Sequence, residues 1–200
     1  MKPWYNAATI VTLMRLALLP VIAVFFIWDF FPQARLVAMI LFIVAALTDF
    51  IDGWIARRFN MVTDLGKLLD PIADKLLTFL GFLLIFSSPD LLGVLFPVWF
   101  AVTVFFIATM RDFLLNMYRQ LAGLRGKVMA ADWSSKIKST VQYIGISLAM
   151  FSAWYDPSAT WAHISVLVLL SLATVLTLIS LASHTRHFIR LDKNPPSYPK

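Results

Sequence analysis

The sequence predicts an all-α, polytopic membrane protein with six transmembrane helices and both termini in the cytoplasm. Three observations carry that expectation. Of the 200 residues, 60% are hydrophobic and 14% charged, whereas a soluble domain is less apolar and about a quarter charged. The apolar residues fall into six segments, roughly 8–30, 34–56, 68–87, 93–115, 136–155 and 160–182, each close to the ~20 residues that a membrane-crossing helix requires. Lysine and arginine collect in alternate junctions between these segments, as they do where loops alternate between the cytoplasm and the far side.

The first segment follows Lys2 and could pass for a secretory signal, but it carries Arg15 in its interior and has no clear small-residue cleavage site. It is therefore expected to be retained as a span. Arg15 has two readings: a functional charge inside the membrane, or a side chain that snorkels from a surface-lying helix bent before Pro20. The second segment opens apolar and ends in acids and arginines, and the third begins with acids and continues into a Leu/Phe run. The fourth is rich in Phe and Val, and Arg111 lies near its end. The fifth starts near Ser134, a natural N-cap, with Lys136 in the first turn. The sixth ends near His184, Arg186 and His187, which read as residues at the membrane interface rather than as a catalytic pair.

The junctions around Phe31, Pro89 and Asp156 contain Arg35 and no other basic residue. The opposite set holds Arg57, Arg58 and Lys67, then Arg111, Arg119, Arg125, Lys127, Lys136 and Lys138, with Arg186, Arg190, Lys193 and Lys200 toward the end of the chain. This distribution puts both termini on the cytoplasmic side and makes a basic rim suited to anionic lipid headgroups or a phosphate-bearing substrate. The net charge of +6 and isoelectric point near 9.8 are thus assigned to membrane lipids, and no nucleic acid is expected. A mean hydropathy of +0.79 excludes a water-soluble or disordered chain. The absence of cysteine excludes disulfides, thiolate metal sites and a cysteine nucleophile. One membrane domain is expected over 1–190, with a polar cytoplasmic tail over 191–200. Arg119–Ser134 is the longest polar connection and is expected to lie along the cytoplasmic surface. Trp99, Trp133, Trp154 and Trp161 lie near span ends, as in an interfacial aromatic belt.

Ionisable groups inside a span are costly and by default mark function, and four aspartates lie at or within two of these helix ends: Asp49, Asp52, Asp70 and Asp74. Asp49, Asp52, Gly53, Ala56 and Arg57 recur at spacings of three and four, so they share one helical stripe. Gly66, Asp70 and Asp74 form a second stripe at spacings of four. A short loop joins the two helices, which are therefore expected to face each other as antiparallel neighbours. Four converging carboxylates repel one another unless positive charge intervenes. Oxygen-only ligands without His or Cys favour Mg²⁺ or Mn²⁺ over Zn²⁺, and two such ions ~3.5–4 Å apart are a common clamp for displacement at phosphorus. Gly53, Ala56 and Gly66 leave room for a bulky group, and Arg57 offers a fork for phosphate. The competing explanation is a set of helix-end acids paired with Arg57, Arg58, Lys67 and Lys75.

Written out, Asp49-x-x-Asp52-Gly53-x-x-Ala56-Arg57, eight residues, Gly66, three residues, Asp70, three residues, Asp74 resembles the signature of the CDP-alcohol phosphatidyltransferase family at all eight fixed positions. Three further stretches, Asn6 to Pro20, Arg111-Asp112 and Trp133 to Thr140, resemble that family's glycerophosphate-accepting bacterial subgroup, so the likeness spans nearly the whole chain. The chain departs from the subgroup at Ala7-Ala8, where Ile-Pro is usual, at Asp112, usually Glu, and at Ser135, usually Gly. All three lie outside the motif, so they bear on the acceptor alcohol and not on the reaction class.

The resemblance implies a six-helix enzyme of the inner membrane, typically a homodimer, that moves a phosphatidyl group from CDP-diacylglycerol to an alcohol and releases CMP. By position, Asp49, Asp52, Asp70 and Asp74 would bind two Mg²⁺ or Mn²⁺ ions, with Asp74 also the general base. Asp49, Gly53, Ala56, Arg57 and Gly66 would hold the CDP moiety. Arg111, Arg119, Lys136 and Lys138 lie on the same expected side as the acids and are candidates for the acceptor phosphate, which the subgroup likeness makes sn-glycerol 3-phosphate. The alternative within the family is a cardiolipin synthase that accepts phosphatidylglycerol. From another class, a divalent-cation transporter would use the same acids, and a structural scaffold would not need them.

Overall fold

A computed structural model of the chain describes residues 7–28, 30–58, 64–88, 98–124 and 133–193; within its helices, the side chains at 7–8, 49–58, 64–68, 70, 119–120, 122–124, 133–136 and 187–193 lie outside that description. The described residues form six helices: α1 (Ala7–Trp28), α2 (Ala34–Arg58), α3 (Asp64–Phe86), α4 (Val98–Leu124), α5 (Trp133–Tyr155) and α6 (Thr160–Lys193). No strand occurs among them, as expected where lipid offers backbone groups no partner and a helix satisfies them internally.

Among the described residues, three helices contain stretches long and apolar enough to cross a membrane by themselves: Thr9–Trp28, Val98–Tyr118 and Thr160–Arg186. Ala34–Thr48 is the apolar stretch of α2 among the described residues. The helix ends differ from expectation in several places. The α4 helix is described from Val98, the expected start near 93 lying outside the described residues, and it continues to Leu124, so the first part of the expected 119–134 connection is helical. Arg119, Gln120, Leu121 and Ala122 are good helix formers, and hydropathy marks where a segment leaves the apolar region, not where its helix stops. For the same reason α6 runs past 182 to Lys193, into the expected tail. The α5 helix starts at Trp133, which puts Ser134 inside its first turn and not at the cap.

Neighbour contacts run α1–α2–α5–α6–α4–α3–α1, a closed ring, with α3 also touching α2 and α5 across it. The centre is therefore the meeting of α2, α3 and α5. Phe42 of α2, Leu77 of α3 and Ile146 of α5 are fully buried there. Gly81 lets these helices close up: a Cβ at that position would stand 2.7 Å from Ile146 Cγ2 and 3.2 Å from Phe42 Cε2. Small residues at such crossings substitute close backbone approach for a water-driven hydrophobic effect, and Ala38, Ala45, Ala73 and Ala149 are buried in the same way. The outward faces are apolar instead. On α6, Ile164, Val168, Leu172, Val175 and Ile179 form an exposed stripe, and on α4 Val102, Phe106, Met110, Phe113 and Met117 form another, the pattern of helices facing hydrocarbon.

The two ends of the bundle are chemically distinct. At one end Arg35 Nη1 donates to the Ala153 carbonyl at 2.9 Å and Trp154 Nε1 to the Pro32 carbonyl at 3.1 Å, bringing the first and fifth junctions together as alternating spans require. Asp156 there accepts from the Ser158 hydroxyl at 2.6 Å and its N–H at 2.8 Å; those two bonds hold its carboxyl below the usual carboxylate range. The other end buries polar side chains: Thr9, Thr12 and Arg15 on α1, Arg111 on α4, Lys138 and Gln142 on α5, and Ser180 and His184 on α6. Arg15 is only 1% exposed. It does not snorkel, because α1 continues without a break through Pro20 and Thr9, Thr12 and Arg15, three apart, turn one polar stripe into the bundle.

Candidate functional site

The aspartate stripes belong to the C-terminal part of α2 and the N-terminal part of α3, and these helices pack against each other and against α5. The helix backbone thus supports the expectation that the two acid-bearing elements are neighbours. Asp74 is the acid of this set whose side chain is described, and it is half-buried between the fully buried Ala73 and Leu77. Tyr143 of α5 donates its hydroxyl proton to Asp74 Oδ1 at 2.5 Å. The same hydroxyl lies 3.4 Å from the Asp74 backbone carbonyl.

A second polar cluster adjoins the first. Asp112 of α4 receives Arg111 Nη1 at 2.8 Å and Lys138 Nζ at 3.1 and 3.2 Å. Arg111 Nη2 donates to the Ser180 hydroxyl at 2.6 Å, and His184 Nδ1 donates to the Ser180 carbonyl at 2.8 Å. Lys138 is 2% exposed and Arg111 4%, so two cations are buried around the Asp112 carboxylate. Asp74 acts electrostatically on Lys138, as do Asp112 and Arg111. The acid of α3 and the cations of α4 and α5 thus belong to one electrostatic unit at one end of the bundle. Its chemistry suits an anion placed beside a carboxylate.

Beside this unit runs an apolar groove of about 640 Å³ between α2 and α5, lined by Met39, Ile43, Leu47, Tyr143, Ile144 and Phe151 among others. Tyr143 stands at its wall and at the polar site together. A molecule with a hydrocarbon part and an anionic part would find both surfaces here.

Of the residues singled out in the sequence, Asp74, Arg111 and Lys138 are brought into this unit. The side chains of Asp49, Asp52, Ala56 and Arg57 on α2, Asp70 on α3, Arg119 on α4 and Lys136 on α5 lie outside the described residues, as do Gly53 and Gly66 beyond their helical backbone. Among the described residues no three metal-ligating side chains cluster. The donor set nevertheless fits hard divalent cations: four carboxylates on two packed helices, with oxygen donors throughout. Sequence reasoning missed Tyr143, Gln142 and Ser180. A glutamine within an apolar helix is itself a warning, and Gln142, 3% exposed, has no hydrogen-bond partner for its Nε2 among the described residues. It sits one turn from Lys138.

The sequence model of the family described as CDP-alcohol phosphatidyltransferase matches residues 5–185. A CDP-diacylglycerol–glycerol-3-phosphate 3-phosphatidyltransferase of Bacillus subtilis is 35% identical over 154 residues, 72% of this chain and 75% of that protein. A probable phosphatidylglycerophosphate synthase of Mycobacterium tuberculosis is 36% identical over 187 residues, 92% of this chain and 82% of its own. A Salmonella choleraesuis protein bearing the same name as the Bacillus one is 31% identical over 184 residues, 90% of this chain and 93% of that one.

Proposed function

The chain belongs to the CDP-alcohol phosphatidyltransferase family, and from that premise we propose that it transfers the phosphatidyl group of CDP-diacylglycerol to sn-glycerol 3-phosphate, giving phosphatidylglycerophosphate and CMP. The observation that carries this reading is the names of relatives from several bacteria, phosphatidylglycerophosphate synthase or CDP-diacylglycerol–glycerol-3-phosphate 3-phosphatidyltransferase, matched over most of this chain and of their own. The buried Arg111 and Lys138 cations support the choice of a phosphate-bearing acceptor.

In this reading one membrane domain over 1–190 crosses the inner membrane six times, with both termini and the site on the cytoplasmic side, and works as a homodimer. The alternating basic junctions support that orientation. The diacyl part of the donor lies in the apolar groove between α2 and α5. Gly53, Ala56 and Gly66 admit the cytidine, while Asp49 and Arg57 fix the nucleotide and its diphosphate. Asp49, Asp52, Asp70 and Asp74 would hold two Mg²⁺ or Mn²⁺ ions, which when bound neutralise charge on the diphosphate. Arg111 and Lys138, aided by Arg119 and Lys136, seat the phosphate of the acceptor. Asp74 takes the proton of the acceptor hydroxyl as its oxygen bonds to the lipid-side phosphorus, and the bond from that phosphorus to CMP breaks.

The test is direct: purified protein with CDP-diacylglycerol and Mg²⁺ is offered glycerol 3-phosphate, phosphatidylglycerol, inositol phosphate or serine in turn. Phosphatidylglycerophosphate formed only with glycerol 3-phosphate is the expected result. Cardiolipin formed from phosphatidylglycerol would replace this reading with the family's other branch, and metal flux into sealed vesicles without CMP would replace it with transport.

A further inference from the structure

We propose that Tyr143 is the positioning residue of the reaction: its hydroxyl ties down one oxygen of Asp74 and so aims the other at the acceptor and the metal-binding acids. This rests on the reading of Asp74 given above.

The hydrogen bond from Tyr143 to Asp74 Oδ1 is 2.5 Å long and joins residues 69 positions apart, one on α5 and one on α3. It is a charge-assisted bond when the carboxylate is ionised, of the stronger kind, and it lies on the edge of an apolar groove, where a carboxylate oxygen without a donor is costly. The ring that delivers the hydroxyl is itself held. It meets Phe42 of α2 edge-on, with centroids 6.0 Å apart and planes at 76°. The residue therefore bridges the three helices that meet at the centre of the bundle, and it does so at the acid closest in the chain to the described core of α3. A carboxylate free to rotate offers either oxygen in many directions, whereas one with Oδ1 engaged presents Oδ2 in one. Groups that orient a ligand or a base in this way typically contribute about 10–100-fold to affinity or rate when removed.

Tyr143→Phe removes the hydroxyl and keeps the ring against Phe42, which separates positioning from packing. Three quantities are read on the purified chain: kcat with both substrates, the KM for glycerol 3-phosphate, and the dissociation constant for Mn²⁺ measured by electron paramagnetic resonance without substrates. The expected result is a fall in kcat of about 10–100-fold and a weakening of Mn²⁺ binding of about tenfold or more. The KM stays within about twofold, because the Arg111 and Lys138 cluster is untouched. If the Phe variant is not recovered folded, Tyr143→Met, flexible and apolar, serves for the same measurements. A folded variant whose kcat and Mn²⁺ affinity both remain within about twofold of the parent overturns the inference. Asp74→Asn separates the two levels. An inactive Asp74→Asn beside a fully active Tyr143→Phe overturns the positioning role alone, whereas a fully active Asp74→Asn overturns the assignment of Asp74 and the inference with it.

Discussion

Replacing Asp112 with Asn probes the buried charge cluster most sharply. Asp112 is the carboxylate between Arg111 and Lys138, with bonds of 2.8, 3.1 and 3.2 Å. Removing its charge takes from two buried cations, 4% and 2% exposed, the carboxylate that binds them both. Breaking a buried ion pair from one side costs ~3–5 kcal/mol. The Asp112 side chain keeps 21% of its surface exposed, and Asn still accepts a hydrogen bond, so the low end applies, about 3 kcal/mol. For a chain of this length that corresponds to a thermal midpoint lower by roughly 6–12 °C in detergent. Inorganic phosphate should restore part of the loss, because loss of the Asp112 carboxylate makes the site more positive by one charge, and ligand binding to the folded state alone raises its stability. The assay is thermal unfolding of parent and variant with and without phosphate. A variant within about 1 kcal/mol of the parent, or one that phosphate stabilises no more than the parent, would refute the reasoning.

Other expectations follow from the same geometry. Lys138→Met, close in length but uncharged, should raise the KM for glycerol 3-phosphate at least about tenfold, the loss expected of one charged hydrogen bond, with the KM for CDP-diacylglycerol little changed in steady-state assays. Asp74→Asn should lower kcat by ~10²–10⁴, the usual contribution of a general base, while circular dichroism shows the helices intact. Gly81→Val should destabilise the bundle by about 1–3 kcal/mol through overpacking against Ile146 and Phe42. Gly81→Ala should cost less in the same unfolding assay, because alanine regains up to ~1 kcal/mol of helix propensity.

The helices were legible because hydrocarbon imposes one rule on each of them: an apolar run must be long enough and must satisfy its own backbone. Five of the six segments were anticipated to within a few residues at the starts of the described helices, and the start expected for the fourth, near 93, lies outside the described residues. Helix ends were less legible. Arg119 to Leu124 and the end of α6 are helical without being apolar, so hydropathy could not mark them. Within the site, Arg111 and Lys138 announced themselves as charges in or near spans, but their joint capture by Asp112 depends on how α4 and α5 approach, which spacing along one helix does not encode. Tyr143 left little trace. A tyrosine in an apolar helix reads as packing until a carboxylate from another helix is found against its hydroxyl.

If the acid stripes of α2 and α3 together form a two-ion site for the donor's diphosphate, the number of Mn²⁺ ions bound per chain at equilibrium with CDP-diacylglycerol present reports it most directly. Two ions in the parent, with loss of binding in Asp49→Asn and in Asp70→Asn alike, is the predicted result. Undiminished binding in a chain with all four aspartates replaced would contradict it.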